Sequence, residues 1–233
     1  MSSGRSSHAS LDRLPRQNRI KLKQNQGKTM KLLIATTNPG KIREYEILLD
    51  GAPAQLLSLA DVGLGDMDVE ENGTTIEANA RIKAEAYMQA SGLLTLADDT
   101  GLFVDALDGR PGVYPARYGG PGLTMPQRRA KLLGELANVA DEKRTARFAC
   151  VIALANPADQ SVELARGICE GRIAQAEDTE GREGFGYDAL FIPQGYDMPW
   201  SRVPMDEKNR ISHRGQAARR VAAILERLRK ISG

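Results

Sequence analysis

Apolar positions along the chain fall into two alternating spacings. Residues 31–37, KLLIATT, centre on the run LLIA and close on Asn38, Pro39 and Gly40, the pattern of a buried strand ended by a turn. From Lys41 the apolar residues Ile42, Tyr45, Leu48 and Leu49 recur at helical spacing, so a strand, a tight turn and a helix head the domain. Residues 74–91, TTIEANARIKAEAYMQAS, predict a second helix, with Thr74 and Glu77 at capping-box spacing. Residues 93–98, LLTLAD, predict another strand, broken at DDTG.

Segment 106–122 is rich in Gly and Pro and predicts irregular backbone. A helix is expected near 125–138, with Leu132, Leu133 and Leu136 on its apolar stripe. TARFACVIALA (145–155) and SVELARGICEGRIA (161–174) read as long antiparallel strands joined by the NPADQ turn. FGYDALF (185–191) is a strand-like run behind the polar loop TEGREG, and a last helix near 214–230 carries Val221, Ile224, Leu225 and Leu228. Strands mixed with helices throughout predict an α/β or α+β domain with a mixed sheet.

Charge divides the chain unevenly. Residues 1–29 hold seven basic side chains against Asp12, a balance of +6, which leaves 25 basic against 29 acidic, or −4, in residues 30–233. The arm has no aromatics and reads as disordered, so no nucleic-acid partner is expected from it. Met30 immediately precedes the first strand pattern. No apolar run approaches the roughly 18 residues of a spanning helix, and no secretory signal is expected. Cys150 and Cys169 form no paired motif, which argues against a disulfide framework or a zinc site and for a reducing cytoplasm.

Four segments can carry chemistry. TTNPGK (36–41) sits on a strand-to-helix turn, where free backbone N–H groups and Lys41 would welcome an anion. It is not a P-loop, because Ala35 and Ile42 stand where Gly and a hydroxyl are needed; a plain turn with a solvated lysine is the alternative. Glu70, Glu71, Asp98 and Asp99 supply the carboxylates that a hard cation requires, although surface or capping roles are open to each. Adjacent acids on a strand point to opposite sides, so Asp98 and Asp99 are not expected to share one task. MDEKNRISHRGQ (205–216) gathers Lys208, Arg210, His213 and Arg214, and Phe185 offers a face for stacking on a base or for packing in a core.

Taken together, TTNPGK, EENGTTIEANARIKA, ADDTGLFVDAL, PGVYPARYGG, FGYDALF and EKNRISHRGQA closely resemble the inosine triphosphate pyrophosphatase family, in order from about residue 30 to 230. These enzymes hydrolyse non-standard purine nucleoside triphosphates such as ITP, dITP and XTP to the monophosphate and pyrophosphate. The resemblance implies a homodimeric α/β protein, with a long central mixed sheet, flanking helices and an active-site cleft between two lobes. It implies a pyrophosphatase domain over 30–233 behind the basic arm 1–29. It places the phosphate-binding turn on Thr36, Thr37, Asn38, Pro39, Gly40 and Lys41, and the general base and Mg2+-linked carboxylate on Asp99. Thr100 falls beside it as a substrate contact and Glu70 on an acidic position that joins the metal site. The base-binding segment falls on Phe185, Gly186, Tyr187 and Asp188, and the remaining substrate contacts on Lys208, His213 and Arg214. The chain departs from the family at Thr100, where serine is common, at Ala189, where proline is frequent, and at Arg129, where asparagine is expected.

The expected reaction is attack on the α-phosphorus by a water that Asp99 deprotonates, with Lys41 and Lys208 neutralising polyphosphate oxygens and Arg214 or His213 reading the 6-oxo group. Two other readings compete: a pyrophosphatase for modified pyrimidine triphosphates, and a nucleotide or RNA-binding module without catalysis.

Overall fold

The computed structural model describes residues 29–181 and 186–231; the remainder of the basic arm and Phe185 lie outside the described residues. Five strands build most of the sheet: β1 (Met30–Ile34), β2 (Ala54–Ser58), β3 (Leu94–Val104), β5 (Thr145–Asn156) and β6 (Ser161–Ile173). Two short strands, β4 (Pro111–Gly112) and β7 (Phe191–Pro193), complete a seven-stranded sheet ordered β2-β1-β3-β5-β6-β7, with β4 beside β3. β1 runs parallel to β2 and β3, while β3, β5, β6 and β7 pair antiparallel. The sheet is mixed, as the sequence pattern predicts.

Alternation along β1 buries both faces of the sheet. Leu32 and Ile34 pack with Tyr45 of α1 (Pro39–Leu48) and with Ala217, Val221 and Leu225 of α5 (His213–Ile231). Leu33 and Ala35 pack on the other face with Ile76, Ala80 and Ala84 of α2 (Ile76–Ser91). The far ends of the long strands, at Leu102, Val104, Ala146, Phe148 and Ile173, enter a third core with Leu132 of α3 (Met125–Glu135), Phe191 and Trp200. β3, β5 and β6 therefore join two lobes, and residues 98–100 lie where one core gives way to the next.

Several boundaries differ from the sequence reading. β3 does not break at DDTG: Asp98, Asp99 and Thr100 pair in register with Ile152, Val151 and Cys150. A strand can hold these acids because each meets a cation or an amide donor, as the site shows. Gly101 continues it because a Cβ there would lie 2.5 Å from the Phe103 ring and 2.9 Å from the Gly112 carbonyl. The N-cap of α2 is Thr75, whose hydroxyl accepts from the Ala78 N–H, not Thr74. Residues 186–190 form turns, so only the end of FGYDALF enters β7. A separate helix, α4 (Met205–Ile211), precedes α5, split from it by the extended backbone of Ser212 (φ −66°, ψ 157°).

Candidate active site

The turn after β1 is built by its own side chains. Asn38 caps α1, its Oδ1 accepting from the N–H groups of Gly40 (2.8 Å) and Lys41 (3.3 Å), and Pro39 at the first turn lacks a donor that would need a partner. The Thr36 hydroxyl accepts from the Asn38 N–H at 3.2 Å. This cap aims Lys41 at β3, where its Nζ lies 3.0 Å from Asp98.

A cleft of about 330 Å³ opens above this turn, lined by Thr36, Thr37, Asn38, Lys41, Asp99 and Thr100 among others. Lys83, Glu71, Tyr114 and Arg117 form its opposite side. On α2, Asn79 and Lys83 stand four residues apart and so share one face. Both reach Asp99, Asn79 Nδ2 at 3.2 Å and Lys83 Nζ at 3.8 Å, and Lys83 also pairs with Glu71 at 2.7 Å. The Glu71 segment is fastened by Tyr114, whose hydroxyl donates to the carbonyls of Gly73 (2.6 Å) and Glu71 (3.3 Å), and by Arg117.

The two adjacent aspartates have opposite environments. Burial would push the Asp98 carboxyl up, but Lys41 and Arg214 hold it well below the usual carboxylate range. Burial pushes the Asp99 carboxyl up to about 6; Lys83 pulls against that rise and Glu71 adds to it. Asp99 thus keeps a basicity suited to accepting a proton near neutrality. Burial opposes the charge on Lys83, yet Asp99, Asp98 and Glu71 together raise its pKa and keep it cationic.

A second group of expected residues collects near the start of α5. His213 is stacked on Phe148 (centroids 5.0 Å) and Trp200 (5.3 Å), and among the described residues its Nδ1 and the Trp200 Nε1 find no hydrogen-bond partner. Burial, followed by Arg214 and Lys208, drives the His213 pKa well down, so the imidazole is neutral. Lys208 is buried against Asp188 (2.5 Å) and lies over the Trp200 ring. Tyr187 donates to the Pro115 carbonyl at 3.0 Å, joining the Gly186–Asp188 turn to the wall of the cleft. Arg214 bridges the two groups: it pairs with Glu44 (2.7 Å) and Asp98 (3.4 Å) and reaches the Thr100 hydroxyl (3.4 Å).

The profile of the Ham1 family matches residues 32–224. The chain belongs to the Ham1 family. Curated relatives include the dITP/XTP pyrophosphatase of Bacillus subtilis, 42% identical over 194 residues (83% of this chain, 96% of the relative), and that of Geobacter sulfurreducens, 46% identical over 188 residues (80% and 92%). Among solved structures, a Ham1 protein from Coxiella burnetii superposes with a TM-score of 0.76 at 36% identity, covering 85% of this chain and 99% of its own. The Staphylococcus aureus Ham1 protein gives 0.74 at 36% identity, covering 84% and 98%. The resemblance seen in the six motifs is thereby established, and so is the mixed α/β fold.

Within this Ham1 chain the expected site residues are not all where the sequence put them. Glu70 is exposed and absent from the cleft lining; Glu71 takes that place. Lys83 draws the Glu71 side chain inward while Tyr114 and Arg117 pin its carbonyl, which leaves Glu70 facing out. Lys208, expected among the phosphates, pairs with Asp188 instead and is not among the residues lining the cleft. Pro39 and Gly40 shape the turn without lining the cleft. Arg129, the departure from asparagine, reaches Glu177 and the Gly186 carbonyl. Lys83 was not anticipated, although the four-residue spacing of Asn79 and Lys83 in EANARIKAEA is a legible signal.

Proposed function

We propose that this chain hydrolyses non-standard purine nucleoside triphosphates, ITP, dITP and XTP, to the nucleoside monophosphate and pyrophosphate, and so keeps these bases out of DNA and RNA. The observation that carries the reading is the juxtaposition of Asp99, with its pKa near 6, and the cations Lys41, Lys83 and Arg117 in one cleft. The names of the curated relatives support the same substrate class.

Mg2+ is part of the proposal. Asp99 and Glu71 both lie against the Lys83 ammonium, so two carboxylates already converge on one positive charge. Among the described residues no three His, Cys, Asp or Glu side chains cluster as a closed metal cage. Two carboxylates completed by substrate phosphates and water match how Mg2+ is usually held, so the donor set fits. Asp99 and Glu71 would hold the ion, and bound there it would neutralise charge on the triphosphate.

The residues of the chain do the rest. Asp99 accepts a proton from water, whose oxygen attacks the α-phosphorus; the bond to the bridging oxygen breaks and pyrophosphate leaves. Lys41, Lys83 and Arg117 offset the charge of the polyphosphate, and the Thr36, Thr37 and Thr100 hydroxyls orient it. The base lies toward the Gly186–Asp188 turn and His213. The Lys208 ammonium is all donor, so it suits a 6-oxo group and leaves the adenine amino group unpaired, a mismatch worth about 1–3 kcal/mol. The enzyme is read as a cytoplasmic homodimer; buried free thiols at Cys150 and Cys169 accord with a reducing compartment, and among the described residues no helix is long and apolar enough to cross a membrane.

A substrate panel tests this reading. ITP, dITP and XTP should be cleaved with water oxygen appearing in the monophosphate. Preferential cleavage of modified pyrimidine triphosphates would favour the other enzyme reading, and binding without cleavage of any triphosphate would overturn both.

A further inference from the structure

Arg129 projects from the second turn of α3 toward the turn that follows β6. Its Nε and Nη2 both reach Glu177 Oε1, at 2.9 and 2.7 Å, and its Nη1 donates to the Gly186 carbonyl at 2.9 Å. The guanidinium is largely shielded, with 16% of the side chain exposed. A planar fork held on one edge by a carboxylate has its other edge aimed, which a flexible point charge would not.

What it aims at is the entry to the Gly186–Asp188 turn. Gly186 has φ 59°, the left-handed conformation that glycine takes without strain, and Met125 of the same helix lies beside it. On the far side the turn is secured by backbone: the Leu190 and Phe191 N–H groups donate to the Tyr187 carbonyl, and the Ser201 N–H to that of Asp188. On the near side, among the described residues, the Arg129 side chain holds the Gly186 carbonyl. Between these anchors stand Tyr187, tied to the cleft wall at Pro115, and Asp188, paired with Lys208.

We propose that Arg129, with Glu177 as its aiming counterion, is a positioning residue for base selection, fixing the turn that sets Asp188 against Lys208. The inference rests on the nucleotide reading above and adds a determinant outside the cleft. Asp99 and Lys83 sit on β3 and α2, elements other than the helix that carries Arg129, so loss of the clamp should alter recognition rather than the chemical step.

The test is steady-state kinetics of the full chain with ITP and ATP, for the parent, Arg129→Met, Arg129→Lys and Glu177→Gln. Arg129→Met should raise KM for ITP roughly tenfold and lower the ITP-over-ATP preference by a similar factor with kcat nearly kept, since a hydrogen bond to a charged group is removed. Arg129→Lys and Glu177→Gln should move both in the same direction by less, and the Leu190 and Phe191 amides should exchange faster in each. A merely structural arginine would lower Tm and leave the preference untouched. If the variants that fold keep the parent's KM and preference, the proposal is overturned while the function stands. A parent inert to ITP overturns the function, and the proposal with it.

Discussion

Asp98 and Asp99 are neighbours on β3 whose carboxylates face opposite sides of the sheet, one clamped between Lys41 and Arg214, the other turned into the cleft beside Lys83. Period-two alternation converts one dipeptide into two devices. Asp98 binds cations into place, and Asp99 keeps its basicity.

Replacing Asp98 with Asn should be costly in both stability and activity. The carboxylate is buried, and its removal takes away the ion-pair partner of Lys41 and one of the two carboxylates that Arg214 pairs with. Breaking a buried pair of this kind costs roughly 3–5 kcal/mol, to be read from urea unfolding. Because the folded pKa lies below the unfolded one, the stabilisation is present above the ordinary carboxylate pKa and fades only as pH falls through the depressed value. The gap between parent and variant should persist at neutral pH and narrow only in strong acid.

Asp99→Asn should do the opposite for stability while abolishing turnover. The folded pKa, about 6, exceeds the ordinary aspartate value of 3.8, so the stabilising protonated form is complete below the lower value and lost as pH rises through the higher. The variant should therefore gain on the order of 3 kcal/mol at pH 8 and little near pH 4. Mg2+ should raise the parent's Tm at pH 8 more than the variant's. Equal parent and variant stabilities at pH 8 would contradict the assigned environment.

Lys83 lowers the Asp99 pKa, so Lys83→Met should move the acid limb of the kcat/KM profile to higher pH and reduce the maximum. An unshifted limb would mean that the titration seen in turnover belongs to another group.

Much of this was readable from the chain, and the misses share a cause. β1, β5, β6 and the last helix announce themselves through local apolar spacing, and TTNPGK through Asn, Pro and Gly chemistry. The continuation of β3 through DDTG was hidden because acids fit a strand only when cations arrive from positions 41, 83 and 214, which local pattern does not bring together. Glu70 and Glu71 are indistinguishable until Tyr114, Arg117 and Lys83 choose between them. The partnership of Lys208 with Asp188 likewise joins residues from α4 and the Gly186–Asp188 turn.

Two glycines give a contrast in stability. At Gly215 a Cβ would stand 1.9 Å from the Asn209 carbonyl oxygen, where α4 and α5 meet, so Gly215→Ala must displace the start of α5 and with it His213 and Arg214. It should lower Tm by several degrees and activity more than tenfold. At Gly134 in α3 an added Cβ would meet none of the described residues within 4 Å apart from its own helix, and Gly134→Ala should stabilise by about 0.5–1 kcal/mol with activity unchanged.

The most direct test of the central claim is pyrophosphate release from ITP and from ATP by the same preparation in Mg2+, with orthophosphate measured in parallel. Stoichiometric IMP and pyrophosphate, with kcat/KM for ITP exceeding that for ATP by at least about tenfold, is the predicted result. Orthophosphate as the product, or equal rates on the two nucleotides, would contradict it.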